Sequence, residues 1–209
     1  MPVVRKIPPG RAGRMWLRGR LCTAERGRDQ LDRKLRILIP EQQRLQTRAQ
    51  QRREAWLAAC ENAQLWLLRA AVLGGQDAIR GASPPQPTHV HVTWTSAMGL
   101  RYPEDAALAE PDANVAVRSG NAAIVPAATA FRAALLSGAR AAAADEAVRR
   151  LEAEIAVTRR RARALDKRWL PWLRDALAAL ELTLEQGEQE DGMRLRRAVA
   201  NSSEQRFPE

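Results

Sequence analysis

The sequence predicts a mainly α protein: a long antiparallel two-helix coiled-coil hairpin with a small β-hairpin-like insert between the helices. Three observations predict it. Alternating four- and three-residue steps link apolar residues from Leu17 to Leu73, and a comparable seam recurs from Val148 to Leu184. Between them the chain turns to prolines and β-branched residues. Composition agrees, since 209 residues hold only two Phe and one Tyr beside abundant Ala, Leu and Arg, a balance that favours helix-on-helix contact over a globular core.

Residues 1–11 read as a flexible tail, and a first helix spans 12–75. Its seam runs Leu17, Leu21, Ala24, Arg28, Leu31, Leu35, Leu38, Gln42, Leu45, Ala49, Arg52, Trp56, Ala59, Ala63, Trp66, Ala70 and Leu73, with only Arg28, Gln42 and Arg52 polar. Small alanines in its second half let another helix approach closely, while Trp56 and Trp66 fill wider gaps. An interior proline removes a backbone hydrogen bond, so Pro40 predicts a kink or short break near Ile39. Gly74 and Gly75 predict the end of the helix through left-handed caps.

The insert, 76–118, contains "HVHVTWT", whose alternation predicts a strand, with "VAVRS" at 115–119 as its candidate partner. A second helix spans 119–200, beginning near Ser119 or Asn121, with Pro126 tolerable in its first turns. Its seam reads Val148, Leu151, Ile155, Thr158, Ala162, Leu165 and Trp169, then changes step to Leu173, Leu177, Leu180 and Leu184. The change falls across Pro171 and predicts a local bend there. Residues 201–209 form a second tail.

The formal charge is +10, and 31 of the 34 basic residues are Arg, with Lys only at 6, 34 and 167. Such a balance suits solvated helix faces, an acidic protein partner, nucleic acid or an anionic surface. In "TRRRARALDKR" helical geometry spreads Arg159, Arg160, Arg161 and Arg163 around the axis, which favours a solvated face or an acidic protein over nucleic acid. The acidic "EQGEQED" at 185–191 opposes an anionic membrane. No segment reaches the roughly 20 apolar residues that span a bilayer, and none reads as a signal peptide, so the expectation is a soluble intracellular protein. The sequon "NSS" at 201–203 then has no meaning. Cys22 and Cys60 on one helix would lie roughly 57 Å apart, too far to pair.

No phosphate-cradling loop, nucleophile elbow or helical His pair with Glu occurs, so a chain catalysing alone is not expected, nor is a cofactor. His89 and His91 share a strand face, but two ligands without a third nearby do not make a metal site.

The layout resembles the D subunit of the V/A-type rotary ATPases, their central-stalk component. The first helix matches at Ala24, Gly27, Leu31, Lys34 and Leu38. The second matches at Arg160, Arg161, Ala164, Leu165, Asp166, Leu170 and Pro171, and again at Leu184, Glu185, Glu188, Glu190, Asp191, Arg194, Leu195, Arg196 and Arg197. Between the helices "SAMGLRYPED" is similar to the family's insert at Met98, Gly99 and Pro103. The family usually has Lys where Asp32 stands, Asp where Arg36 stands and Asn where Arg163 stands.

The resemblance implies a non-catalytic rotor shaft coupling ATP hydrolysis or synthesis to proton or sodium translocation. Its partners would be the catalytic and nucleotide-binding A and B subunits, the F subunit of the stalk and a ring-coupling subunit, with no nucleic acid and no direct membrane insertion. It would lie in the cytoplasm at the inner face of the membrane, with Arg194, Arg196 and Arg197 as contacts to acidic loops of the hexamer. Two other readings remain open, a coiled-coil dimer whose seams pair between chains and a basic nucleic-acid-binding helical protein.

Overall fold

The computed structural model describes residues 7–82, 87–109 and 121–204. In chain order the elements are helix α1 (Gly10–Ala82), strands β1 (Val90–Ala97) and β2 (Leu100–Leu108), helix α2 (Ile124–Ala164), a π-helical turn (Leu165–Trp169) and helix α3 (Leu170–Glu204). The protein is mainly α, with one two-stranded antiparallel sheet between the long helical stretches in sequence. Two compact units form. One joins residues 1–33 to 158–209 and the other comprises residues 34–157.

In the first unit the start of α1 runs antiparallel to α3. Arg11, Arg18 and Glu25, seven residues apart, meet Glu188, Glu181 and Arg174, also seven apart, at 3.1, 2.6 and 3.0 Å. Rising numbers on one helix meet falling numbers on the other at the heptad interval, as an antiparallel coiled coil requires. Beneath this ladder Leu17, Ala24, Leu170 and Leu173 form a buried cluster, flanked by Leu21, Leu165, Leu177 and Leu180. Exposed ion pairs of this kind contribute little individually, about 0–1 kcal/mol, so the ladder sets register while the leucines supply most of the stability.

In the second unit α1 packs on α2 through alanines. Ala63 lies against Ala130 and Ala134, and Ala70 against Ala123, Ile124 and Ala127. Trp56 crosses so near Gly138 that a Cβ there would stand 2.9 Å from the indole Nε1. Asn121 secures the start of α2: its Oδ1 accepts the Ala123 N–H at 2.9 Å, and its Nδ2 donates to the Ala70 carbonyl at 3.2 Å.

Backbone continuity departs from the proline and glycine signals in two places. α1 runs through Pro40 without a break, the non-helical backbone inside it lying at Gly75. Leu38 and Leu45, 0 and 3% exposed on either side of the proline, are anchored in the seam, and this packing outweighs the lost hydrogen bond. Nor does the helix stop at the glycines. Gly75 adopts φ 66°, ψ −174°, a region open essentially to glycine alone, and the chain then resumes helix to Ala82. Ala78, Ile79 and Ala82 pack on the cluster around Ile124, which rewards the extra turns.

The partner of β1 is β2. Met98 and Gly99, at φ 49° and 79°, form a two-residue turn with positive φ at both positions, the geometry whose twist matches antiparallel strands. The 115–119 segment lies outside the described residues. Thr93 pairs with Asp105 and Trp94 with Pro103, leaving Glu104 as a bulge beside the proline, where a missing N–H does no harm to the ladder.

Candidate functional site

The sequence seam residues differ in burial. Leu17, Leu45, Leu151, Ile155 and Leu173 are buried, whereas Leu21, Leu31, Leu35, Trp66, Leu165, Leu177 and Leu180 are half-buried. Trp56 is 39% exposed and Leu73 63%. The three polar seam positions all bridge to the facing segment. Arg28 Nε lies 3.3 Å from Asp166, Gln42 donates to Glu152 at 3.2 Å, and Arg52 donates to Asp105 at 2.9 Å. Lys34 reaches Glu154 at 2.6 Å. Each polar break in the apolar pattern is therefore a registry contact, since a polar group facing the partner helix or the hairpin must find a hydrogen bond there.

Trp169 requires a correction. Spacing places it on the seam, but it is 38% exposed while its neighbour Leu170 is buried at 4%. The π turn is the cause: the Leu170 N–H bonds to the Leu165 carbonyl, five residues back, so one extra residue enters the helix there. The buried and half-buried series becomes Thr158, Ala162, Leu165, Leu170, Leu173, Leu177, Leu180, regular apart from a single five-residue step. Pro171, second residue of α3, sits directly after the turn. Displaced outward, Trp169 stacks on Trp172 with ring centroids 5.2 Å apart and planes at 28°.

The β-hairpin docks through β2. Tyr102 and Ala106 are buried, and Tyr102 joins Leu45, Ala147 and Leu151 in one cluster. The Tyr102 hydroxyl donates to Glu41 Oε1 at 2.9 Å, and Arg44 grips the same carboxylate through Nε and Nη2 at 2.9 and 2.6 Å. Asp105 takes the Ala106 N–H and Arg52, both at 2.9 Å, with Arg140 at 3.7 Å. Arg132 and Arg140 donate to the Ala109 and Ala106 carbonyls at 2.8 and 3.3 Å. The guanidinium groups of Arg101 and Arg150 lie 5.3 and 4.9 Å from the Trp94 ring centroid.

These contacts shift protonation. The Arg44 hydrogen bonds, aided by Tyr102 and opposed by burial, hold Glu41 below the usual carboxylate range. For Asp105 burial pushes upward, but the Ala106 N–H and the charges of Arg52, Arg140 and Arg48 together carry it down. Burial, and then donation to Glu41, push the Tyr102 phenol up. The lowered carboxyls stabilise docking above their ordinary pKa of about 4, and that contribution is lost as pH falls through the folded values. The raised phenol contributes below about pH 10 and its share is lost as pH rises through the folded value. Tyr102 is the sole tyrosine, so tyrosinate absorbance reads it alone. Its midpoint is expected above 10, moving part of the way down in Glu41→Gln, and a midpoint at or below about 10 in the unaltered chain would contradict this docking.

Of the family-motif positions, Lys34 is in its ion pair and Gly27 is half-buried. Leu195 is 67% exposed. Arg11 with Glu188 is the last cross-helix pair among the described residues, and beyond it Met193, Leu195 and Val199 face outward. Arg194 turns to its own helix, 3.9 Å from Glu190 and 3.7 Å from Asp191, and Arg196 bonds the Gly192 carbonyl. Arg197 is exposed. Sequence reasoning missed the heptad ladder at 11, 18 and 25, whose signal is charge of opposite sign at matching sevens on the second helix. It missed the Glu41–Tyr102–Arg44 anchor too, which no spacing announces.

Among the described residues no group of three or more His, Cys, Asp or Glu is placed to hold a metal, and no helix is long and apolar enough to cross a membrane. The geometry defines a structural class, an antiparallel coiled coil with a docked β-hairpin. The chain belongs to the family of ATP synthase D subunits, whose model matches residues 15–200. It is 29% identical to the D subunit of the A-type ATP synthase of Haloarcula marismortui, over 95% of this chain and 89% of that one. It is also 29% identical to the D subunit of the V-type ATP synthase of Thermotoga neapolitana, over 91 and 96%, and to that of the A-type ATP synthase of Pyrococcus abyssi, over 96% of each. The family makes it a component of a V/A-type ATP synthase complex.

Proposed function

We propose that the chain is the non-catalytic central-stalk shaft of its complex, turning with the nucleotide cycle of the A and B subunits and passing that motion to the ion-translocating ring. The observation that supports it best is the seam closed within one chain. Buried leucines, the heptad ladder and all three polar seam positions find partners on the same molecule, so neither a second copy nor a nucleic acid is needed to complete the packing. Torque needs stiffness, and two packed helices resist bending where one would yield.

Among the described residues two exposed surfaces suit partners. Around the end of α3 the apolar Met193, Leu195 and Val199 and the cations Arg194, Arg196 and Arg197 face solvent, which suits a seat inside the hexamer of A and B subunits. In the other unit an open apolar groove lined by Trp66, Leu68, Val72, Leu73 and Pro126 suits the F subunit of the stalk or the ring-coupling subunit. The π turn makes one helix of the pair unlike the other, giving the shaft distinguishable faces with which to bias the catalytic interfaces in turn. Whether protons or sodium ions move is decided by other subunits.

The test is direct observation of rotation. With Cys22 and Cys60 replaced by alanine, Ser96→Cys on the exposed side of β1 takes a bead, and the hexamer is fixed to a surface. ATP is expected to turn the bead in one direction. A stationary bead on a complex that still hydrolyses ATP would defeat the proposal.

A further inference from the structure

The two edges of the β-hairpin differ in how they are guarded. The outer edge of β2 is closed. Pro103 has no N–H to offer there, and arginines of α2 take carbonyls along the strand and just past its end: Arg150 bonds that of Arg101 at 3.3 Å, Arg140 that of Ala106 at 3.3 Å and Arg132 that of Ala109 at 2.8 Å. β1 has no such cover. Among the described residues no strand pairs with its other edge, and six of its eight residues are exposed. Its sequence, VHVTWTSA, contains no Pro, Gly, Lys, Arg, Asp or Glu, so it lacks the charges and prolines that keep an open edge from pairing.

The ladder decides which backbone groups face outward. The Ala109 N–H bonds the His89 carbonyl, and bonded pairs alternate with non-bonded ones along an antiparallel ladder. His91 and Thr93 therefore bond towards β2, while Val90, Val92 and Trp94 turn their N–H and C=O groups to the free edge. Two residues apart, these three also share one face of the strand, and their side chains are 44, 41 and 41% exposed. Arg101, which has no ion pair among the described residues, reaches from β2 over the Trp94 ring, and Arg150 of α2 reaches the same ring.

We infer that the free edge of β1 from Val90 to Trp94 binds an extended segment of another protein of the complex as a third strand, with apolar side chains beside Val90 and Val92 and an Asp or Glu beside Trp94, where Arg101 and Arg150 lie. The inference goes beyond the shaft reading and does not depend on it. A row of donors and acceptors repeating every second residue is matched by the backbone of another strand, whereas a helix has already used its own backbone groups internally. The backbone bonds supply affinity and the side chains of the shared face supply selectivity. A second copy of this chain is favoured less, since it would set one strongly basic surface against another, at a formal charge of +10 each.

The experiment measures hydrogen exchange at single backbone amides of β1, in the purified chain and in the whole complex isolated with it. In the chain alone Val90, Val92 and Trp94 are expected to exchange fast and His91 and Thr93 slowly, the alternation of a strand bonded along one edge. In the complex the first three are expected to slow by about 100-fold. Val92→Pro removes one outward N–H without removing a bond to β2, and in the complex it is expected to return Val90 and Trp94 to within about 3-fold of their rates in the chain alone. Arg101→Glu is expected to speed exchange at the same amides in the complex about 10-fold, most clearly at low salt. Tyrosinate absorbance of Tyr102 checks that the hairpin stays docked in each variant. Should Val92→Pro release it, Val92→Lys blocks the edge by charge with the backbone unchanged. Fast exchange at Val90, Val92 and Trp94 in the complex would overturn the inference, as would protection that neither substitution at Val92 removes, because the edge would then be covered without being paired. Protection already present in the chain alone would overturn it too, assigning the edge to this chain itself if independent of concentration and to a second copy if it grows with concentration.

Discussion

Replacing Leu151 by alanine is expected to destabilise the 34–157 unit by about 2–5 kcal/mol, the range for removing a large buried aliphatic side chain. Leu151 is fully buried where three segments meet: Leu45 of α1, Ala147 one turn back on α2, and Tyr102 of the hairpin, with Leu100 and Val148 alongside. Its neighbours are fixed from outside. Tyr102 is tied to Glu41 and the hairpin backbone to Arg132 and Arg140, so the site cannot collapse freely around the missing methyls. The cavity then persists and the cost lies toward the upper part of the range. Leu57→Ala, at a position 52% exposed, is the control and is expected to change stability by no more than about 0.5 kcal/mol. Urea unfolding of both variants measures the difference. Equal midpoints for the two would show that the hairpin is not part of the packed unit. Hydrogen exchange across β2 should rise in the Leu151 variant, because the strand loses the surface on which Tyr102 rests.

How much of this could be read from residues alone follows from what each signal measures. Apolar periodicity measures burial, so it found both seams and their antiparallel pairing within the chain. It also counted Arg28, Gln42 and Arg52 as interruptions, although all three are contacts, because period alone cannot say which polar residue has an acid opposite. Proline and glycine signals measure local backbone preference. At Pro40 and Gly75 local preference lost to the packing of Leu38, Leu45, Ile79 and Ala82. The strand at 90–97 was legible from alternation, but its partner was not. Pro103 disguises β2, and the turn uses Met98 at positive φ where glycine or asparagine would have announced it. The surface sites were the least legible. Whether an arginine is spent on an intrachain acid or left for a partner depends on the facing helix, and sequence does not show that neighbour.

The π turn and Pro171 are expected to behave as one device, and a double-mutant cycle reads their coupling. With the extra residue present, Leu165 steps five to Leu170 and the proline falls in the first turn of α3. Deleting Lys167 restores a four-residue step, so the buried series becomes a continuous heptad and the π turn has no reason to form. The same deletion leaves Pro171 inside an uninterrupted α-helix, where its ring meets a carbonyl one turn back and its missing N–H leaves another unbonded, at a cost of about 3 kcal/mol. Removing the proline by Pro171→Ala should therefore change stability by less than about 1 kcal/mol in the full-length chain, yet recover about 3 kcal/mol in the deleted one. Equal effects in both backgrounds would separate the two features. The chain with both changes is expected to be at least as stable as the original and, on the proposed shaft reading, to carry rotation less well, since the outward Trp169 goes with the turn. Greater stability with weaker rotation in that chain is the pattern that marks a local irregularity kept for function.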